Sequence, residues 1–224
     1  MSRALHEVAS GSLFGVALNY QGLLQQHLAS FHEAPYQQPP VKPVLFIKTP
    51  NTRNGHALPV TYPSGVERLQ PGPALGVVIG KHASRVSVDN ALDHVAGYTV
   101  VNEFSLPEDS YYRPAVKAKC RDGFCPLGPQ LVPAAQVGNP DALGIRLWVN
   151  GELRQQNNTA NCVRGVAQLI AEISEFMTLH AGDVLITGTP EGRVDVLPGD
   201  RVTVEIDGLG QLTNSIVAEQ GFAP

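Results

Sequence analysis

Ile145-Arg146-Leu147-Trp148-Val149-Asn150-Gly151-Glu152-Leu153-Arg154-Gln155-Gln156 reads as two extended arms around a pair of residues that tolerate positive φ. Asn-Gly between such arms is the chemistry of a type I′ turn, so the stretch predicts a β-hairpin over 145–149 and 152–156. Working outward, Asp207-Gly208 separates apolar runs over 202–206 and 212–217 and predicts a second hairpin. Further strands are expected over 184–187, 75–80, 98–104, 44–48 and 13–19, each closing on Gly, Asn or Pro-containing turns.

Helical signals are fewer. Val163, Val166, Ala167, Ile170, Ile173 and Met177 recur at helical spacing, with Gly182 read as the stop just past the end. Ser87 opens a short helix to His94, with Asp89 in its first turn. Trp148, Ile170 and Ile173 are expected in the core. Many short strands with one long amphipathic helix argue for a mostly-β, α+β domain, a roll or a sandwich.

Two segments stand apart. Residues 21–41 are rich in Gln, His and Pro and predict a short helix followed by an irregular arm or lid. Residues 105–129 show no period, which in a compact domain marks a functional loop. The organisation expected is an amino-terminal strand and arm over 1–43 and the main body over 44–224, together one unit.

Composition narrows the partners. The 224 residues are 43% hydrophobic with a formal net charge of -4, which excludes a disordered chain and a strongly basic nucleic-acid binder. Charged residues are only 16%, leaving surface for subunit contacts. No run reaches the roughly 18 apolar residues of a membrane span, and Met1 to Ser12 lack the basic start and apolar stretch of a leader. Cys120, Cys125 and Cys162 are odd in number, the first pair too widely spaced for a zinc knuckle, so reduced thiols and a cytoplasmic setting are expected.

Three segments together identify a family: Phe46-Ile47-Lys48 with Asn51-Thr52; Lys119-Cys120-Arg121-Asp122-Gly123-Phe124-Cys125-Pro126-Leu127-Gly128-Pro129; and Thr187-Gly188-Thr189-Pro190-Glu191-Gly192 followed by Pro198-Gly199-Asp200. Across roughly residues 13 to 217 the chain resembles the fumarylacetoacetate hydrolase superfamily, whose fold is a mixed β-sandwich roll. Ser105-Leu106-Pro107-Glu108, Tyr111-Tyr112-Arg113-Pro114 and Lys117-Ala118-Lys119 are most similar to the amino-terminal half or subunit of the homoprotocatechuate (4-hydroxyphenylacetate) decarboxylase/isomerases. The resemblance implies a small oxo-dicarboxylate substrate and a homo- or hetero-oligomer with a homologous carboxy-terminal subunit. It also implies Mg2+ or Mn2+, which polarises the 2-oxo acid and stabilises the enolate left when a C–C or C–H bond breaks.

The chain departs from that pattern. Where relatives carry a metal-binding Glu-x-Glu before the strand ending in Ile-Gly-Lys, alignment on Val77-Val78-Ile79-Gly80-Lys81 places Gly72 and Ala74. Glu103, after Asn102, is the sole surviving metal-ligand candidate. Where relatives carry a catalytic His-x-x-Glu after Leu-Asn-Tyr, this chain has Leu23 and Gln26, with His27, His32 and Glu33 nearby.

By resemblance, Lys119 and Asp122 are the catalytic candidates, a cation for the substrate and a carboxylate to hold it; a buried structural ion pair is the alternative. Arg113, Lys117, Thr189, Tyr20 and Lys48 are the substrate-binding candidates. Against these stand a solvated surface pair, a turn residue, aromatic packing and a snorkelling lysine. The functions left open are a decarboxylase/isomerase, a non-catalytic subunit supporting a metal-binding homologue, and an acylpyruvate or fumarylacetoacetate-type hydrolase, the last disfavoured by the missing ligands.

Overall fold

The computed structural model describes residues 11–108 and 110–220, with Leu5 alone of the first ten. The reading of residues 1–12 as free of a leader falls mostly outside them. The strands are β1 (Leu13–Ala17), β2 (Val44–Lys48), β3 (Arg53–Asn54), β4 (Val60–Tyr62), β5 (Pro73–Ile79), β6 (Val95–Asn102) and β7 (Cys125–Pro126). They continue as β8 (Val132–Pro133), β9 (Gly144–Val149), β10 (Glu152–Asn158), β11 (Val184–Ile186), β12 (Arg201–Ile206) and β13 (Gly210–Ala218).

A six-stranded sheet has the order β2-β1-β11-β5-β6-β8, and a five-stranded sheet the order β10-β9-β12-β13-β4. Alternating side chains from their facing surfaces, among them Leu75, Val77, Val100, Ile145, Leu147, Val202 and Val204, form one buried cluster. Helix α3 (Val166–Ser174) closes it with Leu169, Ile170 and Ile173. On the other face of the six-stranded sheet a second cluster gathers Leu13, Ala74, Val78, Val101, Cys125, Leu127 and Ile186.

The predicted hairpin forms with Asn150 at φ 54° and Gly151 at φ 84°, the left-handed values its turn requires. Two expectations are corrected. Helix α3 ends at Ser174, whose hydroxyl donates to the Ala171 carbonyl and accepts from Val86 N; Gly182 instead makes the turn into β11, donating to Ile79 O. Trp148 is only half-buried, since it alternates with the core-facing Leu147 and Val149 on β9.

Residues 21–41 form helix α1 (Gln21–His27), a single-turn helix over Ala29–His32 and then irregular chain. The arm is moored: Tyr36 Oη lies 2.8 Å from Ser110 Oγ and accepts from Tyr111 N at 2.6 Å. β1, by contrast, lies between β2 and β11 with Leu13 and Phe14 buried, so it is core and only 21–43 stands out as an arm.

Candidate active site

The family motifs are held together by backbone. Asn19 Nδ2 donates to Thr187 O at 2.8 Å and Arg164 O at 3.1 Å, while its Oδ1 accepts from Arg164 N. Gly188, at φ 120°, lets the chain pass Val16 O, which a Cβ there would meet at 2.9 Å. Gly15 lets the Phe46 ring lie flat on β1, since a Cβ on it would sit 2.3 Å from that ring. Lys119, ending the one-turn helix α2 (Val116–Lys119), then rests its ammonium 4.6 Å above the ring centroid.

Glu103, one residue past β6 and 1% exposed, is the centre of the site. Lys48 Nζ approaches its Oε1 to 2.7 Å, Lys119 Nζ its Oε2 to 3.1 Å, and Arg193 Nη2 bonds the same Oε2. Burial alone would raise the pKa of Glu103; Lys119, Lys48 and Arg193 outweigh it and hold the carboxyl well below the usual carboxylate range. Burial pulls the Lys48 pKa down and Glu103 opposes it. Four oxygens surround that nitrogen, so the protonated ammonium is the form that fits: besides Glu103 it faces the carbonyls of Phe104, Lys119 and Phe124 at 2.7, 2.8 and 3.1 Å. Lys119 also pairs with Glu108 at 2.7 Å.

Beside this cluster is a cavity of about 410 Å³ bordered by Leu23, His27, Arg68, Glu108, Tyr111 and Arg193, among others. Burial, then Glu108, pushes the Tyr111 phenol up to about 12. Gln26, at the other position of the absent dyad, also borders it, and His27 meets Tyr111 edge-on at 5.1 Å. His32 and Glu33 are exposed on the arm.

The sequence candidates separate. Lys119, Glu103 and Thr189 come together around one small hollow with Arg193. Lys48 is corrected from substrate binding to structure, because its three protons are taken by carbonyls in a dry site. Asp122 is corrected too: it is exposed and accepts from Asn51 at 2.6 Å, while Glu103 and Glu108 hold Lys119. Tyr20 does not line the cavity; it is fully buried, and burial, then Cys162 beside it, raises its pKa. Arg113 and Lys117 are exposed, Arg113 bordering a separate hollow with Phe46 and Tyr111. Arg193 escaped sequence reading, having no motif of its own, and Glu108 is legible only as part of the 105–108 segment, with no role; the absence of two acids was the signal that a cation should be sought to replace the metal.

A divalent metal does not fit these residues. Glu103 is engaged by three cations, and no group of three or more His, Cys, Asp or Glu is placed to hold an ion among the described residues. At the position of the first missing acid, a Cβ on Gly72 would lie 2.8 Å from Thr189 Oγ1 and 2.9 Å from Arg193 Nη1. The guanidinium stands where an acidic side chain would have to pass. Ala74 is sealed in the apolar cluster with Leu13 and Val78.

Residues 12–217 match the fumarylacetoacetate (FAA) hydrolase C-terminal family, and the chain belongs to it. It is 46% identical, over 95% of its length, to the 4-hydroxyphenylacetate degradation bifunctional isomerase/decarboxylase of Salmonella dublin. It covers 48% of that protein, so it spans about half the length of the curated relatives it matches first. The 2-hydroxyhepta-2,4-diene-1,7-dioate isomerase of Mycobacterium marinum is similar in structure, with a TM-score of 0.81, 30% identity, and coverage of 96% of this chain and 77% of that one. The fumarylpyruvate hydrolase of Pseudomonas aeruginosa in complex with Mn2+ and pyruvate gives a TM-score of 0.82 at 30% identity, covering 93% of this chain and 90% of that one.

Proposed function

We propose that this member of the fumarylacetoacetate hydrolase family is the metal-free half of a decarboxylase/isomerase of 4-hydroxyphenylacetate breakdown, working in the cytoplasm with a homologous metal-binding half. The substrates are 5-oxopent-3-ene-1,2,5-tricarboxylate, which is decarboxylated, and 2-hydroxyhepta-2,4-diene-1,7-dioate, which is isomerised. The observation that carries this reading is Glu103: engaged by Lys48, Lys119 and Arg193, it cannot serve a dissociable cation, so metal-assisted bond breaking belongs to the partner. Likeness to bifunctional proteins twice the length supports a homologous second half.

The test is an assay of both reactions with the chain alone, with a homologous Glu-x-Glu half alone, and with the two together. Turnover confined to preparations containing that half, and raised by this chain, is expected. A second reading, catalysis by this chain itself, is favoured by His27 standing in the same cavity as Arg193. Metal-free turnover by the isolated chain that falls on the order of 10² in Lys119→Met would establish that reading and displace the first.

A further inference from the structure

We propose that Arg193 is a covalently tethered substitute for the metal and the anchor of a metal-independent carboxylate site in the adjoining cavity. The inference rests on the reading that this chain takes an oxo-dicarboxylate, and it assigns the residue that holds it.

The guanidinium is fixed on one side. Nη1 donates to Glu103 O at 3.1 Å and more weakly to Gln70 O at 3.4 Å, and Nη2 donates to Glu103 Oε2. Glycine at 72 makes room for this placement, as the 2.9 Å from its would-be Cβ to Nη1 shows. The other side is open: Nε–H has no acceptor among the described residues, the side chain is 20% exposed, and it borders the cavity of about 410 Å³. A guanidinium edge of that kind receives a carboxylate through two parallel hydrogen bonds.

The cluster around Glu103 is itself net positive. Lys48, Lys119 and Arg193 face Glu103 and Glu108, three positive charges against two negative, leaving one in excess. Of the other charged groups at the cavity wall, Glu191 is turned towards Asn157, from which its Oε1 accepts at 3.0 Å, and Arg68 pairs with Asp195 at 2.9 Å. A cavity of this volume takes a small dicarboxylic acid, with Tyr111 and the Asp195-paired Arg68 also at its border.

The test is calorimetric titration of the full chain with 2-oxoadipate and with oxalate, in EDTA and again with Mn2+, for wild type, Arg193→Gln and Arg193→Lys. The expected result is saturable binding in EDTA, changed less than about twofold by Mn2+ and weakened about tenfold or more in Arg193→Gln, with Arg193→Lys between. Thermal unfolding of each variant checks that the fold survives. If Arg193→Gln does not fold, Arg193→Lys decides alone: the single-point ammonium should weaken binding and remove any preference for a planar carboxylate. Binding that requires Mn2+, binding unchanged in the variants, or no binding by wild type overturns the proposal. None of these readouts depends on turnover, so failure of the assigned reaction leaves the anion site to be judged separately.

Discussion

Gly72 and Arg193 share one space: a Cβ on Gly72 would fall 2.9 Å from Arg193 Nη1 and 2.5 Å from the Glu103 carbonyl oxygen. An acidic side chain at 72 and a guanidinium in this place beside Glu103 therefore exclude one another.

Titration of the isolated chain with Mg2+ or Mn2+ should accordingly give no saturable heat, since a hard cation needs several oxygen ligands and Glu103 is already shared among three side-chain cations. A one-to-one isotherm for either ion contradicts the occupancy described.

Glu103→Gln leaves three buried or half-buried cations facing a neutral amide and should cost roughly 3–5 kcal/mol by urea denaturation. The pH dependence follows in sign. Because the folded pKa of Glu103 is depressed, its stabilisation is complete above the unfolded carboxylate value of about 4.3 and is lost as pH falls towards the folded one. Wild type should lose stability below that pH more steeply than Glu103→Gln; parallel curves would show that the carboxylate is not held this way.

Lys48→Met strips partners from three buried carbonyls and from Glu103, whereas Lys119→Met leaves Oε2 of Glu103 still bonded to Arg193. The first should lower stability by roughly 3 kcal/mol or more, the second by clearly less. Equal losses would mean that Lys48 is not the structural member of the pair.

Asn19→Ala removes two donated bonds and one accepted bond that tie β1 to the Thr187 turn and to Arg164. About 2–4 kcal/mol should be lost in denaturant unfolding. A change below about 0.5 kcal/mol would show that backbone contacts alone hold the motifs together.

Limited proteolysis should cut first within 33–41, where residues 33–35, 37 and 38 are exposed, and Tyr36→Phe should speed that cut by freeing Tyr111 N and Ser110 Oγ. A saturating oxo-dicarboxylate should slow it, since the arm's helix contributes Leu23 and His27 to the cavity. Identical cutting with and without the acid would remove the arm from any role in binding.

Local chemistry made most of the fold legible. Asn150-Gly151 announces its own turn, and the apolar run from Val44 ends after Lys48 at a Pro-containing turn that can be read without help from the rest of the chain. Trp148 and Gly182 were misread because their roles depend on which face of β9 meets the core and on a turn that supports β11 rather than a helix. The site was half legible. Glu103, Lys119 and Thr189 lie in motifs, but Arg193 reaches Glu103 across 90 positions of sequence, and nothing local to Gly192 or Val194 records the meeting. Asp122 goes with Lys119 by a resemblance that spans their loop; in space Asn51 claims it.

The position of β11 carries a consequence for how the molecule is made. Leu13 pairs with Val184, and β11 also lies against β5, so the first strand and the fifth are joined only through a strand synthesised much later. A nascent chain emerging from the ribosome therefore has two separate pieces of sheet, β1 with β2 and β5 with β6, and an open seam between them. The seam exposes backbone donors and apolar side chains until Val184 to Ile186 arrive. The Thr187–Pro190 turn follows immediately, so closure of the sheet and completion of the pocket are one late event in biosynthesis, and a ribosome stalled before this point holds an unsealed edge open to pairing with a neighbour.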